Sequence, residues 1–246
     1  MSAPNPVLAA MTAHRTIRSF RPTTVPDAAI ERAVRAARMA ATSSWTQGYG
    51  LLQVTRRNER EALAELTGDQ TQVAKAGAFF TVNADIRRHQ LVAIREGAPH
   101  ANNLEVFLLV ALDTALFAQN LALAFEADGW GTCFIGGLRT RLPEVCELLE
   151  IPQGVFPLFG LCVGEPAEDP DPRPRFEPDA IWSKDRCPTD DTILRQVDAH
   201  DAVAAAYYTQ RGADGRNWSG GTVRKFAKPL REHLRATYEA LGADFS

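Results

Sequence analysis

Two short runs of cationic side chains stand far apart in this chain, at residues 14–18 and 173–175. Arginine is the side chain best shaped for a two-pronged grip on a phosphate group. The chain as a whole carries a net charge of −3, so the two runs are local features and do not follow from its composition. If the fold brings them together, they form a site for a phosphate-sized anion. The side chains concerned are His14, Arg15, Thr16, Arg18, Arg173 and Arg175.

Composition and charge narrow the classes of function. A length of 246 residues indicates one large domain or two small ones. The slightly acidic balance, with a pI near 6.0, argues against a nucleic-acid partner. The four cysteines form no C-x-x-C pair and lack histidines at zinc spacing, so we predict reduced structural thiols and no metal site. We expect a cytoplasmic protein without a membrane partner, because no signal-peptide pattern is evident and the longest uncharged apolar run, 151–164, is too short to span a bilayer.

Hydrophobic periodicity and glycine or proline breaks predict an α+β fold, a small sheet wrapped by helices. The longest predicted helix, 103–128, is apolar almost all round, which is typical of a helix in the core or at a subunit interface. A dinucleotide-binding doubly wound sheet is disfavoured because no G-x-G-x-x-G follows the first strand. The predicted strands cover 50–55, 78–84, 132–135 and 157–164, and the helices cover 6–13, 27–41, 59–67, 103–128, 143–150, 191–210 and 229–241. Two loops are predicted, a proline-rich one over 165–178 and a glycine-rich one over 212–221.

The chain resembles the oxygen-insensitive NAD(P)H nitroreductases and the related NADPH–FMN flavin reductases. Eight stretches carry the resemblance in the same order: HRTIRSF (14–20), ATSSWTQ (41–47), GDQTQVAKA (68–76), NADIRRHQ (83–90), FIGGLR (134–139), PLFGLCVGEP (157–166), DPRPR (171–175) and YYTQRG (207–212). The resemblance implies one FMN-binding domain over 1–246 with a small, mostly antiparallel sheet. A C-terminal extension, from about 176 to 246, would form arm and substrate-loop elements. It further implies an intertwined homodimer in which both subunits line each flavin site.

The resemblance also assigns residues to the cofactors. It implies FMN phosphate and ribityl contacts for the six residues of the two cationic runs, whose structural alternative is a pair of solvated charge clusters. Further flavin contacts fall on Thr42, Ser43, Gln70, Phe134, Ile135, Gly136 and Gly137. Contacts to substrate or NADPH fall on Ser44, Arg139, Arg211, Arg216 and Lys225. Asp113 and His89 are interpreted as an ordinary helix residue and a surface residue, and no side-chain nucleophile stands out.

The expected activity is flavin chemistry, in which the cofactor reacts and the protein binds and orients. NADPH, with NADH as the alternative, would reduce FMN, which would then pass two electrons to a nitroaromatic or quinone in a ping-pong cycle. One alternative is an NADPH-dependent FMN reductase that supplies reduced flavin to a partner. Another, of a different class, is a non-catalytic flavin-binding storage or sensor protein.

Overall fold

The computed structural model describes residues 5–246, which divide into two compact units. One unit comprises residues 5–170 and 231–246, and the other comprises residues 171–230. The described helices are α1 (Pro6–Thr12), α2 (Asp27–Ala37), α3 (Arg57–Leu66), α4 (Gln72–Lys75), α5 (Arg87–Glu96), α6 (Leu104–Ala127), α7 (Leu142–Leu148), α8 (Asp190–Gln210), α9 (Trp218–Phe226) and α10 (Leu234–Ala240). The strands are β1 (Tyr49–Gln53), β2 (Ala78–Asp85), β3 (Gly131–Ile135) and β4 (Val155–Gly164). Short 3-10 turns lie at Ser43–Trp45, Gly136–Arg139 and Pro178–Ala180.

The first unit is built on a four-stranded sheet in the order β1-β2-β4-β3, with every neighbouring pair antiparallel. Strand β2 is buried from Ala78 to Ala84 because helices cover both faces of the sheet. Phe80 and Val82 pack on the face covered by α2 and α6, whereas Phe79 packs on the opposite face with residues of α3 and α7. The predicted α+β class with a small antiparallel sheet is confirmed.

Helix α6 begins at the cap Asn103, whose side chain accepts a hydrogen bond from the Val106 backbone N–H. One side of it buries Phe117, Leu121 and Phe125 in the core beside the small alanines of α2. A second apolar stripe, Leu104, Leu108, Leu112 and Leu116, is exposed at a spacing of four residues. By length and hydropathy α6 could cross a membrane, a test that core helices also pass, and its buried side packs as a core helix does.

The C-terminal segment returns to the first unit. Tyr238 in α10 is buried, and its hydroxyl donates a hydrogen bond of 2.9 Å to the Pro157 carbonyl in β4. This burial raises the pKa of Tyr238 to about 12. The second unit therefore comprises only residues 171–230.

Helices α8 and α9 lie in the second unit, where they pack around a small aromatic cluster. The ring of His200 stacks on Phe176 at a centroid distance of 4.1 Å, and Trp218 meets Phe176 edge-on at 5.0 Å. The start of α9 is capped twice, because the Asn217 side chain accepts from Gly220 N–H and the Asp201 carboxyl accepts from Ser219 N–H.

The predicted elements are wrong in several places, among them the helix predicted over 27–41, which ends at Ala37, and α4, which was not predicted. The glycine-rich loop over 212–221 is wrong in its second half, because α9 begins at Trp218 and includes two glycines. The last helix begins at Leu234 and not at Pro229. Helix α5 was not predicted, although Gly97, with φ of 66°, provides an ordinary left-handed helix end.

Candidate functional site

Residues 14–18 run alongside the edge strand β3 in the first unit. Thr16 pairs in parallel with Thr132, and the Ile17 N–H donates a 2.9 Å hydrogen bond to the Thr132 carbonyl. Ile17 is buried against Gly131, where a side chain larger than hydrogen would collide with it. The backbone of the first cationic run is therefore fixed to the start of β3.

The side chains of this run differ in how they are paired. The His14 ring nitrogen Nδ1 lies 2.9 and 3.1 Å from the two carboxyl oxygens of Glu126 in α6, so it carries the proton and donates. Arg15 forms an ion pair of 2.6 Å with Asp169. Arg18 is exposed and has no carboxylate partner within residues 5–246. Arg18 and the free side of the His14 ring are thus the groups left to meet an anion.

A glutamate also holds the backbone of the first run. The Glu168 carboxyl oxygen Oε1 accepts from the N–H groups of Arg18 and Ser19, at 2.5 and 2.9 Å. Neither Glu126 nor Glu168 was singled out from the sequence. Each carboxyl group contacts a residue of the first run that is more than 100 positions away in sequence, so no local sequence pattern indicates the contact.

Arg173 and Arg175 lie in the second unit and are exposed. The Arg175 guanidinium donates to the carbonyls of Arg173 and Pro174, at 3.0 and 3.3 Å. Across the described part of the chain, neither arginine pairs with a carboxylate. The convergence of this run with residues 14–18 stays a prediction.

The segment from Thr42 to Gly48 is a turn with a strained backbone. Ser44, Trp45 and Gln47 have φ values of 46°, 60° and 55°. Such left-handed conformations cost non-glycine residues of order 1–3 kcal/mol each and persist only where surrounding contacts impose them. These contacts come from Asp113 in α6 and His89 in α5, which the sequence had suggested to be an ordinary helix residue and a surface residue.

Asp113 in α6 is buried, with 1% of its surface exposed, and it organises this turn. Its carboxyl group accepts from Ser43 N–H at 2.9 Å, from the Thr46 hydroxyl at 3.0 Å and from Gly48 N–H at 3.2 Å. His89 Nε2 lies 2.7 Å from the Thr46 carbonyl. His89, which was interpreted as a surface residue, is half-buried, and the interpretation of Asp113 as an ordinary helix residue missed its burial.

Gln70 and the glycine pair after β3 lie together. A Cβ on Gly137 would collide with the Thr67 carbonyl oxygen and with Gln70 Nε2. The Gln70 side chain donates to the Thr67 carbonyl at 2.7 Å and accepts from Gln72 Nε2 at 3.0 Å. The tertiary structure thus joins two segments that the family resemblance assigns to the flavin ring.

The two residues before the glycines, Phe134 and Ile135, differ in how far their side chains are buried. Ile135 is fully buried, so its side chain belongs to the core and only its backbone can face a ligand. Phe134 is 37% exposed and packs edge-on against Phe159 at a centroid distance of 5.4 Å. Their predicted flavin contacts remain untested.

Replacing Gly137 with alanine is expected to destabilise the protein. The methyl group would meet the backbone at Thr67, and overpacking of this kind costs about 1–3 kcal/mol. Gly136→Ala is the matched control, because a Cβ there meets only Arg139 Nη2 at 3.9 Å. Urea unfolding of the flavin-free proteins measures both free energies, and equal stabilities would contradict the described packing.

The residues assigned to NADPH are spread over both units. In the first unit, the Arg139 guanidinium donates to the Leu158 carbonyl, and His233 Nε2 lies 3.1 Å from the Arg139 carbonyl. In the second unit, Arg211 lies 5.5 Å from the Tyr207 ring centroid, and Arg216 is exposed. Lys225 and Arg173 line one cavity of about 180 Å³ between α8 and α9. Their contacts with a nucleotide stay predictions.

The buried cysteines are poorly suited to nucleophilic chemistry. All four cysteines are free thiols. Burial raises the pKa of Cys133, that of Cys146 to about 11, and that of Cys162 well above its ordinary value. These three thiols therefore stay protonated near neutral pH. In residues 5–246 no cluster of three metal-ligating side chains occurs.

The donor set of the first unit fits a flavin mononucleotide. Arg18 and Thr16 supply a cation and a hydroxyl at the start of β3, which suits a phosphate. Beyond the end of β3 lie Gln70 and Gly136, and a Cβ on Gly136 would meet only Arg139 Nη2, at 3.9 Å. The Gln70 amide and the exposed backbone at Gly136 suit a flat polar ring. A strand of this length spans roughly 15 Å, comparable with an extended mononucleotide.

Comparisons with known proteins agree with this geometry. A sequence model of the nitroreductase family matches residues 11–165, and one of the family's C-terminal domain matches residues 173–246. The chain is 37% identical over 233 residues to an oxygen-insensitive NADPH nitroreductase of Salmonella typhimurium, covering 94% of this chain and 95% of that protein. It is 36% identical over 228 residues to an FMN reductase (NADPH) of Bacillus subtilis, covering 90% and 91%. The structure of B. megaterium NfrA1 superposes with a TM-score of 0.94 at 34% identity, covering 97% and 99% of the two chains.

Proposed function

Because this chain belongs to the nitroreductase family, we propose that it oxidises NADPH and reduces flat acceptors such as nitroaromatics or quinones by two electrons. It is an NAD(P)H-dependent flavin oxidoreductase that uses FMN as its cofactor and NADPH as its co-substrate. When bound, FMN would supply the hydride and electron transfer chemistry between NADPH and the acceptor, and we propose that the two substrates react in the separate halves of a ping-pong cycle. The free thiols fit a cytoplasmic location.

The observation that carries this proposal is the unpaired Arg18 at one end of β3, with the Gly136–Gly137 and Gln70 pair at the other. Arg18, together with Thr16 and the free nitrogen of His14, would bind the phosphate and its neighbouring hydroxyls. Arg15 would act on the same run through its ion pair with Asp169. Arg173 and Arg175 would add further guanidinium groups from the second unit.

At the ring end, the residues of this chain orient and do not react. Gln70 would meet the polar edge of the ring with a side chain already held by Thr67 and Gln72. Gly136 would let the backbone approach the ring closely, with Phe134 and Ile135 leading into it. Gly137 would contribute through its contact with the Gln70 side chain. A reduced ring gains negative charge, which nearby donors stabilise most strongly where water is excluded.

We propose a homodimer in which each site takes residues from both copies. The turn containing Thr42, Ser43 and Ser44 leads into β1, whereas residues 14–18 and the glycine pair flank β3. These are opposite edges of the sheet, separated by about 14 Å, or three inter-strand spacings. One copy's turn and its own β3 edge thus lie on opposite sides of the sheet, which supports a contribution of the turn to the partner's site.

The exposed stripe of α6 supports the same assembly. The leucines at positions 104, 108, 112 and 116 form one apolar ridge, and such ridges on soluble proteins usually mark contact surfaces. A symmetric dimer would bury the ridge against its own copy. Ser44, Arg139, Arg211, Arg216 and Lys225 would then line the approach for NADPH and the acceptor.

Anaerobic reduction tests the proposal directly. The protein reconstituted with FMN is expected to lose its yellow colour when excess NADPH is added, and to regain it with a nitroaromatic. Parallel double-reciprocal plots would support the ping-pong order. A flavin that stays yellow would overturn the proposal. Weakly held FMN that behaves as a saturating substrate would favour the flavin-reductase alternative, and binding without NADPH oxidation would favour a storage or sensor role.

A further inference from the structure

We infer that Asp113 is a positioning residue, which holds the turn of residues 42–47 in its strained form so that the turn can complete the flavin site. This inference rests on the proposed function, because it assumes that the turn contacts a flavin. Asp113 itself lies in α6 and does not touch the proposed ligand.

The hydrogen bonds of Asp113 indicate this role. All three donors belong to one short segment: Ser43 N–H at 2.9 Å, the Thr46 hydroxyl at 3.0 Å and Gly48 N–H at 3.2 Å. A buried carboxyl group is costly unless it is fully hydrogen-bonded, and this one finds its partners only if the turn keeps its shape. The same bonds therefore satisfy Asp113 and define the turn.

The backbone of the turn needs such a restraint. Ser44, Trp45 and Gln47 all have positive φ values, and none is a glycine. Trp45 is 83% exposed, so packing of its side chain does not impose the conformation. Further restraints lie at its C-terminal end, where His89 Nε2 contacts the Thr46 carbonyl, the Thr46 hydroxyl also donates to the Ser43 carbonyl and Gly48 packs against Val110. Without Asp113, residues 43–45 lose their direct hydrogen bond to α6 and are expected to relax.

The position of Asp113 links assembly to the site. It neighbours Leu112 of the exposed ridge in sequence, on the same helix that would meet the second copy. In the proposed dimer, one rigid helix would thus set both the contact between copies and the shape of the turn presented across it. Helix α6 repeats this use of a carboxyl group at Glu126, which orients His14.

Substitutions at Asp113 and Thr46 test the inference. Asp113→Ala is expected to weaken FMN binding by about tenfold or more and to raise KM for the acceptor while the dimer persists. Asp113→Asn keeps one acceptor oxygen for Ser43 and presents a donor to the others, so an intermediate effect is expected. Thr46→Val removes a hydroxyl that donates to Asp113 at 3.0 Å and to the Ser43 carbonyl at 2.7 Å, so its effect on FMN affinity should be smaller in the Asp113→Ala background. A loss of FMN affinity larger than the loss of stability is the readout that a purely structural role would not produce.

Leu121→Val is the matched control. Leu121 lies eight residues further along α6 and is fully buried in the core beside α2, away from the turn. This variant is expected to lose stability without losing FMN affinity. Fluorescence titration gives the FMN affinity, sedimentation gives the oligomeric state, and limited proteolysis at residues 42–47 reports on the turn without any flavin.

The outcomes separate the inference from the function on which it rests. Wild-type protein that binds no FMN overturns the proposed function, and proteolysis of the turn still tests Asp113. Wild-type protein that binds FMN, with Asp113→Ala unchanged in affinity, KM and proteolysis, overturns the inference. If Asp113→Ala fails to fold, Asp113→Asn and Thr46→Val give the same comparison.

Discussion

Replacing Arg18 and Arg175 together with alanine is expected to weaken FMN binding by at least about 100-fold. A hydrogen bond to a charged group contributes about 1.5–3 kcal/mol, so two lost phosphate contacts correspond to roughly 3–6 kcal/mol. Each 1.4 kcal/mol changes the affinity by about tenfold. Flavin fluorescence titration of the single and double variants measures the loss, and inorganic phosphate should compete with FMN for wild-type protein only.

Further variants separate the loss of positive charge from the loss of contacts that both arginines make to one phosphate. Arg57→Ala removes an exposed arginine that pairs with Glu61, and we expect no change in affinity. Lysine at positions 18 and 175 keeps the charge but loses the planar fork, which should restore binding only in part. If the two arginines hold one phosphate, their effects are coupled. Strictly additive, small effects would show that the two cationic runs do not converge.

Mixing two impaired subunits is expected to restore about half of the wild-type activity, at an FMN concentration that saturates the wild-type protein and leaves each variant homodimer largely unloaded. One subunit carries Arg18→Ala and the other Asp113→Ala, and each homodimer alone should be impaired. If each site combines Arg18 of one copy with the turn of the other, the mixed dimer contains one intact site and one site with both lesions. Two affinity tags allow the mixed dimer to be purified, and NADPH oxidation gives its activity.

The matched control is a doubly tagged dimer in which both subunits carry Arg18→Ala. It should stay as impaired as the untagged variant, which excludes an effect of the tags. If Arg18 and the turn served the same copy's site, every site of the mixed dimer would carry one lesion. No recovery would follow, and the shared-site arrangement would be wrong.

Local patterns sufficed for most of the fold. The buried strand β2 and the long helix α6 were predicted within one or two residues, because a mainly apolar strand and a helix capped by Asn103 leave clear local signals. The errors lie where such signals conflict. Gly220 and Gly221 suggested a loop, yet Asn217 and Asp201 cap a helix that tolerates both glycines. Pro229 suggested a first helical turn, yet α10 begins only at Leu234.

The candidate site likewise contains residues that local motifs identified and residues that only long-range contacts revealed. The family resemblance of short stretches identified Arg18, Gln70 and Gly136–Gly137 as candidates, since a motif keeps its residues together along the chain. It could not distinguish Arg18 from Arg15, because the ion pair with Asp169 joins positions far apart in sequence. It also passed over Glu126, which reaches His14 across 112 positions, and Asp113, which reaches Ser43 across 70.

Residue types, capping signals and motif order were thus readable from the chain, because each depends on neighbours within a few positions. The pairing of charges, the strain of the 42–47 turn and its place on the sheet edge opposite β3 depend on contacts between distant segments. Those contacts form only when α6 packs across the sheet and brings its carboxyl groups to segments that the sequence keeps apart.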